Sequence, residues 1–261
     1  MAEDLVVVER HNKIGILTLH NEAKRNALST ALMEQLIKEL ETLRASAIPV
    51  VIIRAGKNAR VWCSGHDVTE LPKSRRDPLG YYDAIERLLR CVETYPGAVI
   101  AMIQGTVWGG GVDLVLTCDL VVGDHTSSFA ITPAKLGLPY NATGVMHFLN
   151  RLPLTVAKEM FFTAEPITAE RADRVGIINH LVDSEQIESF TLNLAETMAS
   201  RSALCIAVIK EQFRLLSGAH PLSPETFELI QGLRRKIYDS HDYTEGIKAF
   251  VEKRPPVFTG E

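Results

Sequence analysis

The chain has 261 residues, 28 Lys and Arg against 32 Asp and Glu for a formal net charge of −4, with 46% hydrophobic and 23% charged residues. That is the composition of a folded chain with a sizeable core, and at roughly 100–200 residues per domain it forms one large domain or two small ones. The mildly acidic balance supplies no basic field for nucleic acid, and the clearest apolar run, Ala98 to Ile103, is far short of the ~20 residues that span a bilayer.

The first residues, Met-Ala-Glu-Asp followed only by Leu5-Val6-Val7-Val8, lack the basic start and longer apolar stretch of a secretory signal. Cys63, Cys91, Cys118 and Cys205 lie far apart with no Cys-x-x-Cys pair, which points to reduced thiols in a cytoplasmic protein and against zinc or disulfides. The eight histidines show no ligand spacing, so no metal is expected.

In chain order, residues 5–9 and 14–20 read as two short strands. After Ser29, the residues Leu32, Met33, Leu36, Ile37, Leu40 and Leu43 recur at intervals of three and four, the stripe of an amphipathic helix. Pro49 separates it from a compact apolar run over 50–54, a buried strand. Residues 64–78 turn polar and irregular and predict a mobile surface loop. A helix over 79–93, a buried strand over 98–104, a helix opened by Gly109-Gly110-Gly111 and running to about Cys118, a strand over 120–123 and a short strand over 128–132 follow.

From Gly144 onward the pattern is almost wholly helical, with helices predicted over 145–151, 155–163, 169–175, 185–200, 203–216, 224–240 and 243–253. Ser223-Pro224-Glu225 is a coherent helix start: a capping hydroxyl, a proline in the first turn and an early acid. Strands separated by helices favour parallel pairing, although the opening strand pair and uneven spacing do not fit a regular doubly wound sheet.

The most informative stretch is Gln104-Gly105-Thr106-Val107-Trp108-Gly109-Gly110-Gly111, between a buried strand and a helix. Glycines there permit close backbone approach, and a helix N-terminus offers free N–H groups with partial positive charge. The third glycine of a dinucleotide fingerprint is missing, and no Gly-Lys-Ser/Thr follows for a phosphate loop. Asp124, about 20 residues beyond Gly105, keeps a nicotinamide site open, and a purely structural turn is a second reading. The third is an oxyanion site of backbone donors, whose second N–H would come from Ser64-Gly65-His66-Asp67. Taken singly, His66 is an ordinary loop histidine and Tyr140 a packing residue.

Six stretches in order change those odds: Lys24-Arg25-Asn26-Ala27-Leu28, Cys63-Ser64-Gly65-His66-Asp67, Gly105 through Asp119, Leu136-Gly137-Leu138-Pro139, Ala172 through Asn179, and Glu245-Gly246 to Phe258. With them the chain resembles the crotonase (enoyl-CoA hydratase/isomerase) superfamily over nearly its full length. The resemblance implies an α/β fold, a crotonase-like spiral of ββα units with a C-terminal helical trimerisation region. Residues 1–185 would form the core with the acyl-CoA site and residues 186–261 the oligomerising helices of a homotrimer or dimer of trimers. It further implies a bent acyl-CoA whose thioester oxygen accepts the backbone N–H groups of His66 and Gly110. Lys24, Ala27, Leu28, Ser64, Gly65, Asp67 and Val68 would line the substrate and CoA channel, and Lys253, of its own or a neighbouring subunit, would meet a CoA phosphate. CoA would enter as part of the substrate, with no cofactor, nucleic acid or membrane partner.

Hydration needs two carboxylates to position water and shuttle its proton. By resemblance those positions fall on Asp113, one methylene shorter than the family's glutamate, and on Pro133, which carries no proton. Asp113 reads most simply as a helix-side polar residue with a local partner. What remains is an enolate formed without a strong base, and loss of CO2 generates one directly. Gly65-His66-Asp67 with Glu70-Leu71-Pro72, Arg76-Asp77-Pro78-Leu79, Val107-Trp108-Gly109-Gly110, Thr132-Pro133 and Leu138-Pro139-Tyr140-Asn141 resemble the decarboxylating branch of the family. The expected reaction is decarboxylation of methylmalonyl-CoA, or a close 2-alkylmalonyl-CoA, to propionyl-CoA and CO2, with Tyr140 and Thr132 orienting the carboxylate or directing protonation. The competing readings are a hydratase, isomerase or thioesterase of the same family, and a CoA-binding scaffold or RNA-binding relative drawing on Lys73-Ser74-Arg75-Arg76 and Arg234-Arg235-Lys236, runs that solvated faces explain more simply.

Overall fold

The structure, a computed structural model, describes residues 4–57, 59–71, 80–218 and 223–260. In chain order its elements are β1 (Val6–His11), β2 (Ile14–Leu19), α1 (Thr30–Ala45), β3 (Val50–Ala55), β4 (Val61–Cys63), α2 (Ala84–Glu93), β5 (Ala98–Ile103), β6 (Thr106–Trp108), α3 (Gly110–Thr117), β7 (Leu120–Asp124) and β8 (Ser128–Ala130). There follow α4 (Ala142–Arg151), α5 (Leu154–Thr163), β9 (Ile167–Thr168), α6 (Ala169–Val175), β10 (His180–Val182), α7 (Ile187–Ala199), α8 (Ala203–Ser217), α9 (Pro224–Tyr238) and α10 (His241–Val251).

From β3 to β8, consecutive strands alternate between two sheets. The larger has the order β1-β2-β3-β5-β7-β10, the smaller β4-β6-β8-β9. β3, β5 and β7 each hand the chain to β4, β6 and β8, and a helix or helical turn returns it, so the path is the spiral of ββα units that the resemblance implies. All pairings are parallel except β1 with β2 and β8 with β9. The antiparallel opening pair is what made the strand spacing irregular for a doubly wound sheet.

Both faces of the larger sheet are covered, which explains runs without polar alternation. Leu17, Val51, Ile53, Val99, Ala101 and Val121 face the main core with the α1 stripe Leu32, Met33, Leu36, Leu40 and Leu43. Their neighbours Ile14, Ile16, Val50, Ile52, Ile100 and Met102 face α7 through Ile187 and Ala195, as the two-residue period of a strand requires. Trp62, fully buried, joins the sheets by donating Nε1–H to the Met102 carbonyl at 2.8 Å.

α1 begins where predicted, with the Ser29 hydroxyl accepting the Leu32 N–H. The helix expected over 79–93 is present as α2 from Ala84, and Ser223 caps α9 as its motif requires. The stretch after Gly144, expected to be almost wholly helical, also holds β9 and β10, which close the two sheets, and Val61–Cys63 and Thr106–Trp108 are strands that the sequence pattern did not assign. Segments of two or three residues carry no readable period, so pairing partners alone define them. Of the predicted loop 64–78, residues 72–78 lie outside the described residues, as do Pro72, Arg76-Asp77-Pro78-Leu79 and Lys73-Ser74-Arg75-Arg76. No single described helix is long and apolar enough to cross a membrane. All four cysteines are free; burial pushes the Cys63, Cys91 and Cys118 thiols up to about 12.

Candidate active site

The adjacent parallel strands β4 and β6 end at the same place, and there the two glycine turns meet. Gly65, at φ +86°, turns the chain after β4, and Gly109, at φ +49°, turns it into α3. Only glycine reaches such angles without strain. The turns touch: a Cβ on Gly65 would sit 2.7 Å from the Trp108 carbonyl oxygen, and one on Gly110 would sit 3.6 Å from the His66 nitrogen. Leu28 N–H donates to Gly65 O at 2.8 Å and Asp67 N–H to Leu28 O at 3.2 Å, while Gly109 N–H donates to Ala130 O at 2.8 Å. The His66 and Gly110 N–H groups between these bonds have no acceptor among the described residues. Two N–H groups without an internal acceptor stand on one wall, one of them at a helix N-terminus, the arrangement that an oxyanion site requires.

The segment 24–28 is fastened to this wall by Asn26, fully buried at left-handed φ, whose amide donates to Trp62 O at 3.1 Å and whose Oδ1 accepts the Asn21 N–H at 2.9 Å. Lys24 and Ala27 thereby line the same cavity, with Ser64, Gly65, His66, Asp67, Val68, Gly110, Thr132 and Tyr140. Its volume is about 430 Å³. Leu28 lies behind the wall, fully buried, where its backbone holds Gly65 and Asp67. Lys253, past the end of α10, does not line the cavity; Phe250 of α10 and Tyr238 of α9 do, so the last helices close this chain's own site. Burial works against ionisation of Asp67, but hydrogen bonds from Thr69 and the charge of Lys24, 3.8 Å away, hold it below the usual carboxylate range.

At the far end, α3 presents Asp113, 3% exposed. Its Oδ1 accepts from His147 Nδ1 at 2.6 Å and its Oδ2 from the Tyr140 hydroxyl at 3.1 Å. Asp113 therefore has local partners, as expected, but it also faces the cavity. Burial and the neighbouring carboxylate push the Tyr140 phenol well above its ordinary value, so it stays a neutral hydroxyl. Burial opposes charge on His147, yet its hydrogen bond to Asp113 and the carboxylates of Asp113, Glu93 and Glu86 outweigh it and raise the imidazole above its usual value. Pro133 opens the turn after Thr132 and offers an aliphatic wall where a second acid would be needed for water addition.

Sequence reasoning missed Glu86 and His147. Glu86 is 3% exposed, lines the cavity and accepts a hydrogen bond from the Asn141 amide. Burial, and then Asp113, push its carboxyl above the ordinary range, against the pull of Asn141. The signal was available: Glu86 falls among Ala84, Ile85, Leu88, Leu89 and Val92 on the apolar face of α2. His147 gave none, because its meeting with Asp113 depends on how α3 crosses α4. Asp124 is spent on Thr126, Gln104 and Ser184, bracing the β7–β8 turn, which removes the acid of the nicotinamide reading. Arg234, in the second basic run, is buried within α9. Among the described residues no three His, Cys, Asp or Glu side chains gather at ligand spacing.

A family model described as enoyl-CoA hydratase/isomerase matches residues 9–261, and the chain belongs to that family. Among its relatives, a methylmalonyl-CoA decarboxylase of Escherichia coli (strain K12) is 42% identical over 260 residues, covering 100% of both chains. A 2,3-dehydroadipyl-CoA hydratase of the same organism is 30% identical, covering 98% of each. Among solved structures, methylmalonyl-CoA decarboxylase in complex with 2-nitronate-propionyl-CoA superposes with a TM-score of 0.98 at 42% identity, covering 100% of each chain. The same named protein complexed with 2S-carboxypropyl CoA gives 0.97 at 41%, again over 100% of each. The crotonase fold expected from the sequence is thus the fold of this chain.

Proposed function

We propose that the chain decarboxylates methylmalonyl-CoA, or a close 2-alkylmalonyl-CoA, to propionyl-CoA and CO2 through a thioester enolate. The observation that carries this reading is the state of the two acid positions. Pro133 stands at one, and at the other both oxygens of Asp113 are engaged, by His147 and Tyr140, so these two positions supply no carboxylate pair to activate water. In the mechanism the thioester oxygen accepts the His66 and Gly110 N–H groups, and the Thr132 hydroxyl, with that of Tyr140 turned from Asp113 Oδ2 toward the substrate, holds the carboxylate across the thioester plane. The breaking C–C bond then overlaps the carbonyl π system, its electron pair passes into the enolate as CO2 departs, and a proton taken from water at C2 completes propionyl-CoA. Ile85, Leu136, Leu138 and Phe250 supply an apolar wall that thins the carboxylate's hydration. CoA is part of the substrate, held by Lys24, Ala27, Ser64, Gly65, Asp67 and Val68 with Leu28 bracing the wall behind them, while Lys253 of a neighbouring subunit meets a CoA phosphate, and no further cofactor takes part.

Residues 186–261 carry the oligomerisation of a homotrimer or dimer of trimers in the cytoplasm. In support, α8 has no buried residue and exposes Leu204, Phe213 and Leu216 at 70–76%, an apolar face that another copy would cover. The test of the reaction is incubation with methylmalonyl-CoA in the absence of biotin and added metal. Propionyl-CoA and CO2 in equal amounts are expected. Rapid hydration of crotonyl-CoA without CO2 release would overturn the reading.

A further inference from the structure

We propose that His147 sets the charge of the substrates this cavity admits: its imidazolium cancels the Asp113 carboxylate, so that an acyl-CoA bearing a second, free carboxylate binds beside Tyr140. The inference rests on the decarboxylase reading and names the residue that makes the site fit for an anion.

Three carboxyl side chains line the cavity, Asp67, Glu86 and Asp113, and a malonyl-type substrate brings a fourth into a region shielded from water. Like charges in that setting repel strongly. Each resident carboxyl has its own means of neutralisation. Asp67 lies against Lys24 at 3.8 Å. Glu86 is buried against Asn141, with Arg90 3.9 Å from its other oxygen. Asp113, which touches Tyr140 and hence the expected seat of the carboxylate, has one cationic partner among the described residues: His147, at 2.6 Å, with the two side chains 13% and 4% exposed.

The acids facing His147 are Asp113, Glu86 and Glu93, all of which favour its protonated form. On its far side, a second cavity of about 500 Å³ contains Arg151, Lys210 and Arg214, and these are engaged elsewhere, by the Cys118 carbonyl, by Asp119 and by Glu211. None replaces His147 at Asp113. A neutral imidazole would leave the Asp113 charge bare toward the substrate, whereas an acyl-CoA without the extra carboxylate would not register the change. His147 acts through Asp113 and is a specificity-determining positioning residue.

The test is binding of two ligands, 2S-carboxypropyl-CoA and propionyl-CoA, to the full chain by calorimetry. His147→Asn keeps a donor toward Asp113 without the charge. It should weaken the carboxylated ligand at least about tenfold and propionyl-CoA less than about twofold. Adding Asp113→Asn to His147→Asn removes the uncompensated charge and should restore the carboxylated ligand to within about threefold of the parent chain. The unaltered chain gives an independent measure: from about pH 6 to about pH 9, the ratio of the two dissociation constants should rise as His147 loses its proton. Parallel weakening of both ligands in His147→Asn, or a flat ratio across pH, overturns the inference while leaving the decarboxylase reading in place. Failure of the carboxylated ligand to bind at any pH overturns both.

Discussion

Gly65→Ala probes the oxyanion wall without removing a functional group. The added methyl would lie 2.7 Å from the Trp108 carbonyl oxygen, 3.2 Å from its carbon and 3.3 Å from Gly110 N. All three are backbone atoms, which cannot swing aside as a side-chain tip would. At φ +86° the alanine also carries a conformational penalty of about 1–2 kcal/mol. Relief requires the two turns to part, and parting carries the His66 N–H away from its partner at Gly110. Loss of one donor of this kind costs about 2.7–4 kcal/mol, or 10²–10³ in kcat. Stability should fall by about 1–3 kcal/mol, which at this chain length is roughly 2–4 °C in Tm for each kcal/mol. The assay is CO2 release from methylmalonyl-CoA under saturation, beside a thermal melt. A variant that folds and keeps kcat within about threefold of the parent would refute the assignment of this wall to the thioester oxygen.

Other predictions address the rest of the site. Tyr140→Phe should lower kcat by about 10²-fold while changing KM little, if the hydroxyl orients the carboxylate; an unchanged kcat removes Tyr140 from the mechanism. His147 and Glu86 both have raised pKa values in the folded chain, so the fold binds more protons than the unfolded chain does. Their stabilising contribution is present at low pH and is lost as pH rises through the folded-state values, above 4.5 for Glu86 and above 6.5 for His147. Urea midpoints should therefore decline from about pH 5 to about pH 8 less steeply in His147→Asn than in the parent, and equal slopes would count against the His147–Asp113 pair. Gly246→Ala places a methyl 2.0 Å from the Leu136 carbonyl oxygen, driving α10 off the turn that carries Pro133 and Leu136. A loss of about 1–3 kcal/mol with a raised KM is expected; a variant matching the parent in both would show that α10 does not brace the cavity.

The parts of this molecule legible in its sequence are those with a local cause. The α1 stripe, the β3 and β5 runs and the Ser223 cap are dictated by neighbours in the chain, and each stands where expected. The glycines at 65 and 109–110 were legible because their spacing follows a resemblance, and the backbone geometry at 65 and 109 bears out the need for glycine there. The remaining misses are long-range. β9 is two residues long and exists because β8 offers a partner edge. Asp113 and His147 stand 34 residues apart on different helices, and only the packing of α3 against α4 brings an imidazole to that carboxylate. Glu86 lies between: its helical phase betrayed it as an acid on an apolar face, but the cavity that gives this meaning is tertiary.

The side-by-side parallel pairing of β4 and β6 gives the two N–H donors a shared mount. Their peptide groups leave neighbouring strands at the same edge, and Gly65 touches the backbone of Trp108 directly. Because Gly65 packs against the backbone of Trp108 and Gly110, displacing one turn displaces the other with it. The opposite wall is mounted separately, on α2, residues 138–141, α9 and α10. Side chains on that wall, Glu86 and Tyr140 among them, can be exchanged without moving the two donors, so the surroundings of a bound acyl group are adjustable while the donor pair stays set.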